Sequence, residues 1–160
     1  MEIILTYLLD RNGGKATFSD FYSITKIPKR NLKKFLWYCQ RRKLMRREIG
    51  IYYITEEGRK MLNNVPIIRI GEKIYITAAE GKVHMVTLGR KMRLREFDSE
   101  FLRELIRRKC IPRDEIKSST NRRMLTSAVR LFRLLKMAKY RNDMICIEPN
   151  QTILKQLGVF

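Results

Sequence analysis

Lys26-Ile27-Pro28-Lys29-Arg30-Asn31-Leu32-Lys33-Lys34-Phe35-Leu36-Trp37-Tyr38-Cys39-Gln40-Arg41-Arg42-Lys43-Leu44-Met45-Arg46-Arg47 decides how this 160-residue chain is read. It holds ten Lys or Arg and no Asp or Glu. Pro28 suits the first position of a helix, where its missing N–H costs nothing and its φ is already helical. Leu32, Phe35, Leu36 and Cys39 follow at i, i+3, i+4 and i+7, which predicts one stripe turned to a core. Lys29, Arg30, Lys33, Lys34, Trp37 and Arg41 fall on the opposite side. A helix with a packed back and a cationic front suits the major groove of a nucleic acid. The competing reading is a solvated basic face.

Upstream, Ile3, Ile4, Tyr7 and Leu8 have helical spacing within 2–11, and Asn12-Gly13-Gly14 ends that helix. Lys15-Ala16-Thr17 is short enough for a small strand. Ser19 is expected to cap a brief helix running to Thr25, with Asp20 near its positive end and Phe18, Phe21 and Ile24 inward. Helix, short helix, tight turn and longer basic helix make a helix-turn-helix. Downstream the period changes: 45–47 and 51–55 read as two strands around Glu48-Ile49-Gly50. Thr55 then caps a helix with Glu56 and Glu57 in its first turn.

With these residues in place, 1–65 resembles the winged-helix domains of small prokaryotic, archaeal and viral transcription regulators. The phrase Ile51-Tyr52-Tyr53-Ile54-Thr55-Glu56-Glu57-Gly58-Arg59-Lys60-Met61-Leu62 is similar to that family's second wing strand and following helix. Ile27-Pro28-Lys29-Arg30-Asn31-Leu32 is similar to its turn into the recognition helix. The resemblance implies DNA contact by Lys29, Arg30, Asn31, Lys33 and Lys34 on the helix, and by Arg46 and Arg47 on a short wing. Lys26 and Arg41 extend the same basic surface. By residue type, Asn31 suits adenine and Arg30 guanine.

The remaining chain predicts a β-hairpin connector over 66–97 and a second, less obvious winged helix over 98–160. Ile68, Ile70, Ile74 and Ile76 alternate around Gly71-Glu72, and Lys82 to Leu88 adds a strand. Asp98 or Ser99 caps a helix bearing Phe101, Leu102, Leu105 and Ile106. Pro112 opens a short helix. Asn121 caps a longer one whose buried stripe is Leu125, Ala128, Val129 and Phe132. Its outward residues, Arg122, Arg123, Thr126, Arg130 and Arg133, are the second set of expected DNA contacts. Arg141 joins them from a hairpin turned by Arg141-Asn142-Asp143. The expected class is therefore α+β: tandem winged-helix domains, each a three-helix core with a hairpin wing.

The formal charge of +19 favours a polyanion or an anionic surface. Nets of +8, +4 and +7 over 1–65, 66–97 and 98–160 spread it along the chain. No apolar run reaches the roughly 20 residues of a membrane span. The early run Ile3 to Leu9 follows Glu2 rather than a basic segment, unlike a signal peptide. The expected location is cytoplasmic, associated with the nucleoid. Cys39, Cys110 and Cys146 are odd in number and scattered, which predicts free thiols packed as small apolar groups.

No catalytic set, metal-ligand spacing or cofactor motif emerges. His84 stands alone in a probable strand, the acidic pairs begin helices, and Gly13-Gly14 lacks the rest of a phosphate loop. An enzyme is not expected. Trp37 and Tyr38 suit either stacking on bases or packing against the wing or a partner subunit. The leading expectation is a sequence-preferring double-stranded-DNA-binding regulator, with a homodimer or another protein as a further partner. Replication or plasmid initiation, and a tandem winged-helix scaffold in a transcription or membrane-remodelling assembly, are the alternatives. RNA stays open, although no aromatic strand motif of the common RNA-recognition sheet occurs.

Overall fold

The structure, a computed structural model, describes residues 1–160 as an α+β fold with eight helices and three small antiparallel sheets. The chain divides into two units: Met1–Ile76 with Val86–Leu94, and Thr77–Met85 with Arg95–Phe160.

In the first unit the order is α1 (Glu2–Arg11), β1 (Lys15–Thr17), α2 (Phe18–Thr25), α3 (Lys29–Arg41), β2 (Met45–Glu48), β3 (Ile51–Ile54) and α4 (Glu56–Asn64). Its sheet runs β1-β3-β2, with Tyr52 opposite both Ala16 and Arg47. Thr17, not Ser19, caps α2. The Thr17 hydroxyl accepts from the Asp20 N–H, and the Asp20 carboxylate accepts from the Thr17 N–H. That reciprocal pair satisfies two donors that the helix start leaves free, which Ser19 inside the first turn does not. Pro28 sits at the cap of α3, one place before the helix begins.

Leu32, Leu36 and Cys39 are buried and join Ile4, Leu5, Leu9, Phe21 and Ile27 in one core. Phe35 is only partly buried, and Ile24 is exposed because the buried positions of α2 are Phe21 and Thr25. Burial pushes the Cys39 thiol up to about 12, so it stays protonated and packs as a small apolar group.

A close backbone approach fixes where α4 begins. The Thr55 hydroxyl accepts from the Gly58 N–H and donates to the Lys43 carbonyl at 2.5 Å. A Cβ at Gly58 would lie 2.3 Å from the Leu44 carbonyl oxygen, so only glycine fits. The β2–β3 turn is two residues, Ile49 and Gly50, with φ of 48° and 76°. Two positive φ values match the twist of a tight hairpin, but a β-branched residue is strained there.

The segment expected as a hairpin connector with one added strand gains a fourth strand and forms a four-stranded sheet. Its order is β4 (Ile67–Ile70), β5 (Ile74–Ala79), β6 (Lys82–Thr87) and β7 (Arg93–Asp98), and its residues are shared between the units. β7 escapes pattern reading because only Phe97 in Arg93–Asp98 is buried, so no alternation marks it. It is hydrogen-bonded to β6, and across those two strands the Lys82 ammonium lies 2.5 Å from the Glu96 carboxylate.

The second unit repeats the element order: α5 (Ser99–Arg108), β8 (Cys110–Pro112), α6 (Arg113–Ser118), α7 (Arg122–Leu134), β9 (Ala138–Arg141), β10 (Met144–Ile147) and α8 (Gln151–Gln156). Its sheet runs β8-β10-β9, the same order as β1-β3-β2. α7 starts 93 positions after α3, has the same length of 13 residues, and is followed by strands at the same offset. Over 29–55 and 122–148 only Arg30/Arg123, Leu32/Leu125, Lys43/Lys136 and Ile54/Ile147 are identical. Backbone details nevertheless recur. Lys43 and Lys136 have φ of 59° and 58°. Leu44 N–H donates to the Cys39 carbonyl as Met137 N–H does to Phe132, and Ile54 N–H donates to Gly14 as Ile147 N–H does to Lys109.

The predicted stripe Leu125, Ala128, Val129 and Phe132 is buried, as are Leu102, Leu105 and Ile106, whereas Phe101 is partly exposed. Asp98 and Asn121 occupy cap positions without a side-chain cap bond. α8, capped by Asn150, was not expected: six residues after Pro149 give too little periodicity to read.

Two of the three cysteines are not free thiols. Cys110 and Cys146 face each other across β8 and β10 and form a disulfide, with Cα atoms 4.0 Å apart. Their 36-residue separation concealed the pairing, since nothing in the sequence announced β8 as a strand. Cys39 alone is free.

Candidate nucleic-acid interface

The fully buried stripe of α3 is Leu32, Leu36 and Cys39, with Phe35 and Gln40 partly buried beside it, and its other positions face solvent. Lys29, Arg30, Asn31, Lys33, Lys34, Trp37, Tyr38 and Arg41 are all exposed, as is Lys26 at the left-handed turn before the helix. No carboxylate occurs within α3, and none forms an ion pair with its cations. The cations are held by rings instead. Lys29 lies 5.4 Å from the centre of the Tyr22 ring, Lys33 5.9 Å from Phe18 and Lys34 6.0 Å from Tyr38. Arg41 sits 5.3 Å from Trp37, which is 51% exposed and meets Tyr38 edge to face. A ring orients a cation without neutralising it, so the positive charge remains available to an anion.

The adjoining hairpin carries Arg46 and Arg47, both exposed. Arg46 pairs with Glu48 and lies over Tyr53; Arg47 lies over Tyr52. Its tip is Ile49, whose side chain is fully exposed. All nine residues nominated in this unit therefore lie on exposed surface of α3, the turn before it or the hairpin.

In the second unit Arg122, Arg123, Thr126, Arg130 and Arg133 are exposed on α7, and Arg141 on β9. The surroundings are less purely cationic. Arg141 and Lys139 both hold Glu148 at 2.6 Å, and Arg108 holds Glu115 with two hydrogen bonds. These bonds hold the Glu148 and Glu115 carboxyls below the usual range. Tyr140, not singled out from the sequence, is exposed with Arg113 and Arg133 each 5.5 Å from its ring centre. The available signal was its place beside the hairpin turn.

No protein-family model, curated protein or solved structure matches this chain.

His84 is partly buried in β6, with Nδ1 3.7 Å from the Glu96 carboxylate. Burial lowers its pKa despite Glu96, which favours neutral imidazole at pH 7. No group of three or more His, Cys, Asp or Glu is positioned to hold a metal ion. No helix is long and apolar enough to cross a membrane.

Proposed function

We propose that the chain is a tandem winged-helix protein that binds double-stranded DNA and regulates transcription, with α3 as its principal recognition helix. One observation carries the reading: α3 buries Leu32, Leu36 and Cys39 and turns five Lys or Arg to solvent with no carboxylate among them. A 13-residue helix is about 20 Å long, and the roughly 12 Å major groove admits one. Lys29, Lys33, Lys34 and Arg41 serve the phosphates on either side, while Arg30 and Asn31, near the helix start, serve base edges. Arg46 and Arg47 extend the phosphate contact along the hairpin, which acts as the wing. α7, with Arg122, Arg123, Thr126, Arg130 and Arg133, is the second reading head, and Arg141 supports it.

Labelled duplex, single-stranded DNA and RNA, titrated at several salt concentrations, test this. Duplex preference is expected, with log K falling against log salt by about 0.9 per phosphate contacted. The sole tryptophan, Trp37, lies on the α3 face, so its emission is expected to change on duplex binding. Equal binding to all three nucleic acids, or silent Trp37 emission at saturation, contradicts the reading.

A further inference from the structure

The C-terminal unit contains a hollow of about 240 Å³ between α6, α7 and the β9–β10 hairpin. Three cations line it: Arg113, Lys117 and Arg122. Of these cations, Lys117 has an acid partner, Asp114, whose carboxylate is 3.9 Å away and almost wholly in solvent. Val129 and Ile145 supply an apolar floor, and Tyr140 and Thr126 complete the wall. Its volume falls below the roughly 300–1,000 Å³ of pockets that enclose drug-sized ligands, so it admits one end of such a ligand and leaves the other at the rim. A small ligand with one apolar and one anionic end matches this lining.

The first unit indicates what shape the apolar end has. β1 and β8 lead directly into α2 and α6, so Phe18, Phe21 and Tyr22 correspond to Arg113, Ile116 and Lys117. Strand register makes Tyr52 the counterpart of Ile145, and Arg47 that of Tyr140. In the first unit this location is occupied by rings, with Phe21 and Tyr52 meeting edge to face at 5.8 Å. Cations cap those rings: Lys29 on Tyr22, Lys33 on Phe18 and Arg47 on Tyr52. The second unit keeps cations around the same position, has no ring in the floor, and leaves the hollow.

We infer that this hollow is a binding site for one nucleotide unit, a flat ring joined to a phosphate ester. The ring enters the space that the aromatic side chains fill in the first unit. The phosphate meets Arg113, Lys117 and Arg122, whose guanidinium forks and ammonium suit its oxygens. The disulfide between Cys110 and Cys146 encloses the stretch of chain that supplies every lining residue, so the site is covalently braced. Arg122 and Thr126 belong both to this hollow and to the exposed face of α7, so a nucleotide seated here competes with any strand lying along α7. The unit is either a free mononucleotide or one nucleotide of a strand; the same contacts serve both.

The full-length oxidised protein, titrated with AMP, adenosine, inorganic phosphate and a five-nucleotide single strand, tests this by amide chemical-shift changes. AMP is expected to bind at least tenfold more tightly than adenosine or phosphate, with shifts centred on 113–117, 122–129 and 140–145. A strand that binds more tightly than AMP at the same amides makes nucleic acid the source; weaker strand binding makes it the free nucleotide. Ile116→Phe restores the ring of the first unit and is expected to reduce AMP affinity at least tenfold with phosphate binding unchanged. Lys117→Ala, an exposed substitution, is expected to weaken both. AMP binding no tighter than phosphate, unaltered by Ile116→Phe in a folded variant, or centred on α3 overturns the inference. None of these outcomes depends on whether α3 binds duplex DNA.

Discussion

In the N-terminal unit Phe18, Phe21, Tyr22 and Tyr52 occupy the space between α2, α3 and the hairpin; in the C-terminal unit Arg113, Ile116, Lys117 and Ile145 stand in those places. The backbones are repeated closely enough that the left-handed Lys43 recurs as Lys136. What the two units share is a buried stripe on the long helix, a left-handed turn and a two-residue hairpin loop. These fix the path of the chain. The ring layer is not needed for it, and there the units part: both long helices lack carboxylates, but the first unit packs rings beside its helix whereas the second leaves a cation-lined hollow and forms more ion pairs around it.

The largest expected effect tests how each core is filled at one shared level. Phe132 is the positional counterpart of Cys39, and both are buried. Phe132→Ala is expected to cost about 3–5 kcal/mol in denaturant unfolding, since it leaves a ring-sized void. Cys39→Ala removes one sulfur and is expected to cost well under that. Equal costs would break the equivalence of the two helices.

The disulfide is next, because only the C-terminal unit has one. Cys110→Ser with Cys146→Ser is expected to cost about 2–4 kcal/mol, as a cross-link restricts the unfolded chain. Hydrogen exchange is expected to quicken over β8 and β10 and to stay unchanged over β1 and β3. Uniform quickening would show that the two sheets are not stabilised separately.

The hairpin turns give a smaller contrast. Ile49 holds φ of 48° where the other unit has Asn142 at 45°. Asparagine tolerates the left-handed region, and a β-branched residue does not. Ile49→Asn is therefore expected to raise stability by about 1 kcal/mol. An unchanged or lower melting temperature would mean that the isoleucine gains something from its surroundings that offsets the strain.

Acid supplies the smallest effect. Glu115 and Glu148 sit below their ordinary value of 4.5, through hydrogen bonds from Arg108 and Lys139 respectively. A depressed folded-state value contributes stability that is complete above 4.5 and is lost as pH falls through the lowered values. Both groups are exposed, so the loss they carry is expected to be slight. A pH series of amide shifts from 6 to 2 checks this; losses that begin above pH 5 would contradict it.

Much of the first unit was legible because its signals are local. Leu32, Leu36 and Cys39 keep the helical period, Thr55 stands before two acids, and the charge of 26–47 is of one sign. What stayed hidden depends on pairing between distant segments. Cys110 and Cys146 form a disulfide only because β8 lies against β10, and β7 is placed by its pairing with β6 rather than by alternation. The cap of α2 was misplaced by two residues since Thr17 and Ser19 both precede an acid. The hollow beside Tyr140 was invisible in the second unit alone. Its reading as a space for a ring comes from laying α6 over α2, an equivalence that four identities in 27 positions do not reveal.

The most direct test of the central claim compares the two long helices in one salt series on duplex DNA. Lys29→Ala with Arg30→Ala and Lys33→Ala is measured beside Arg122→Ala with Arg123→Ala and Arg130→Ala. The account predicts that the α3 triple loses most affinity and flattens the log–log salt slope by about 0.9 for each phosphate contact removed. The α7 triple is predicted to lose less. Duplex affinity and slope unchanged in a folded α3 triple would contradict a recognition role for α3.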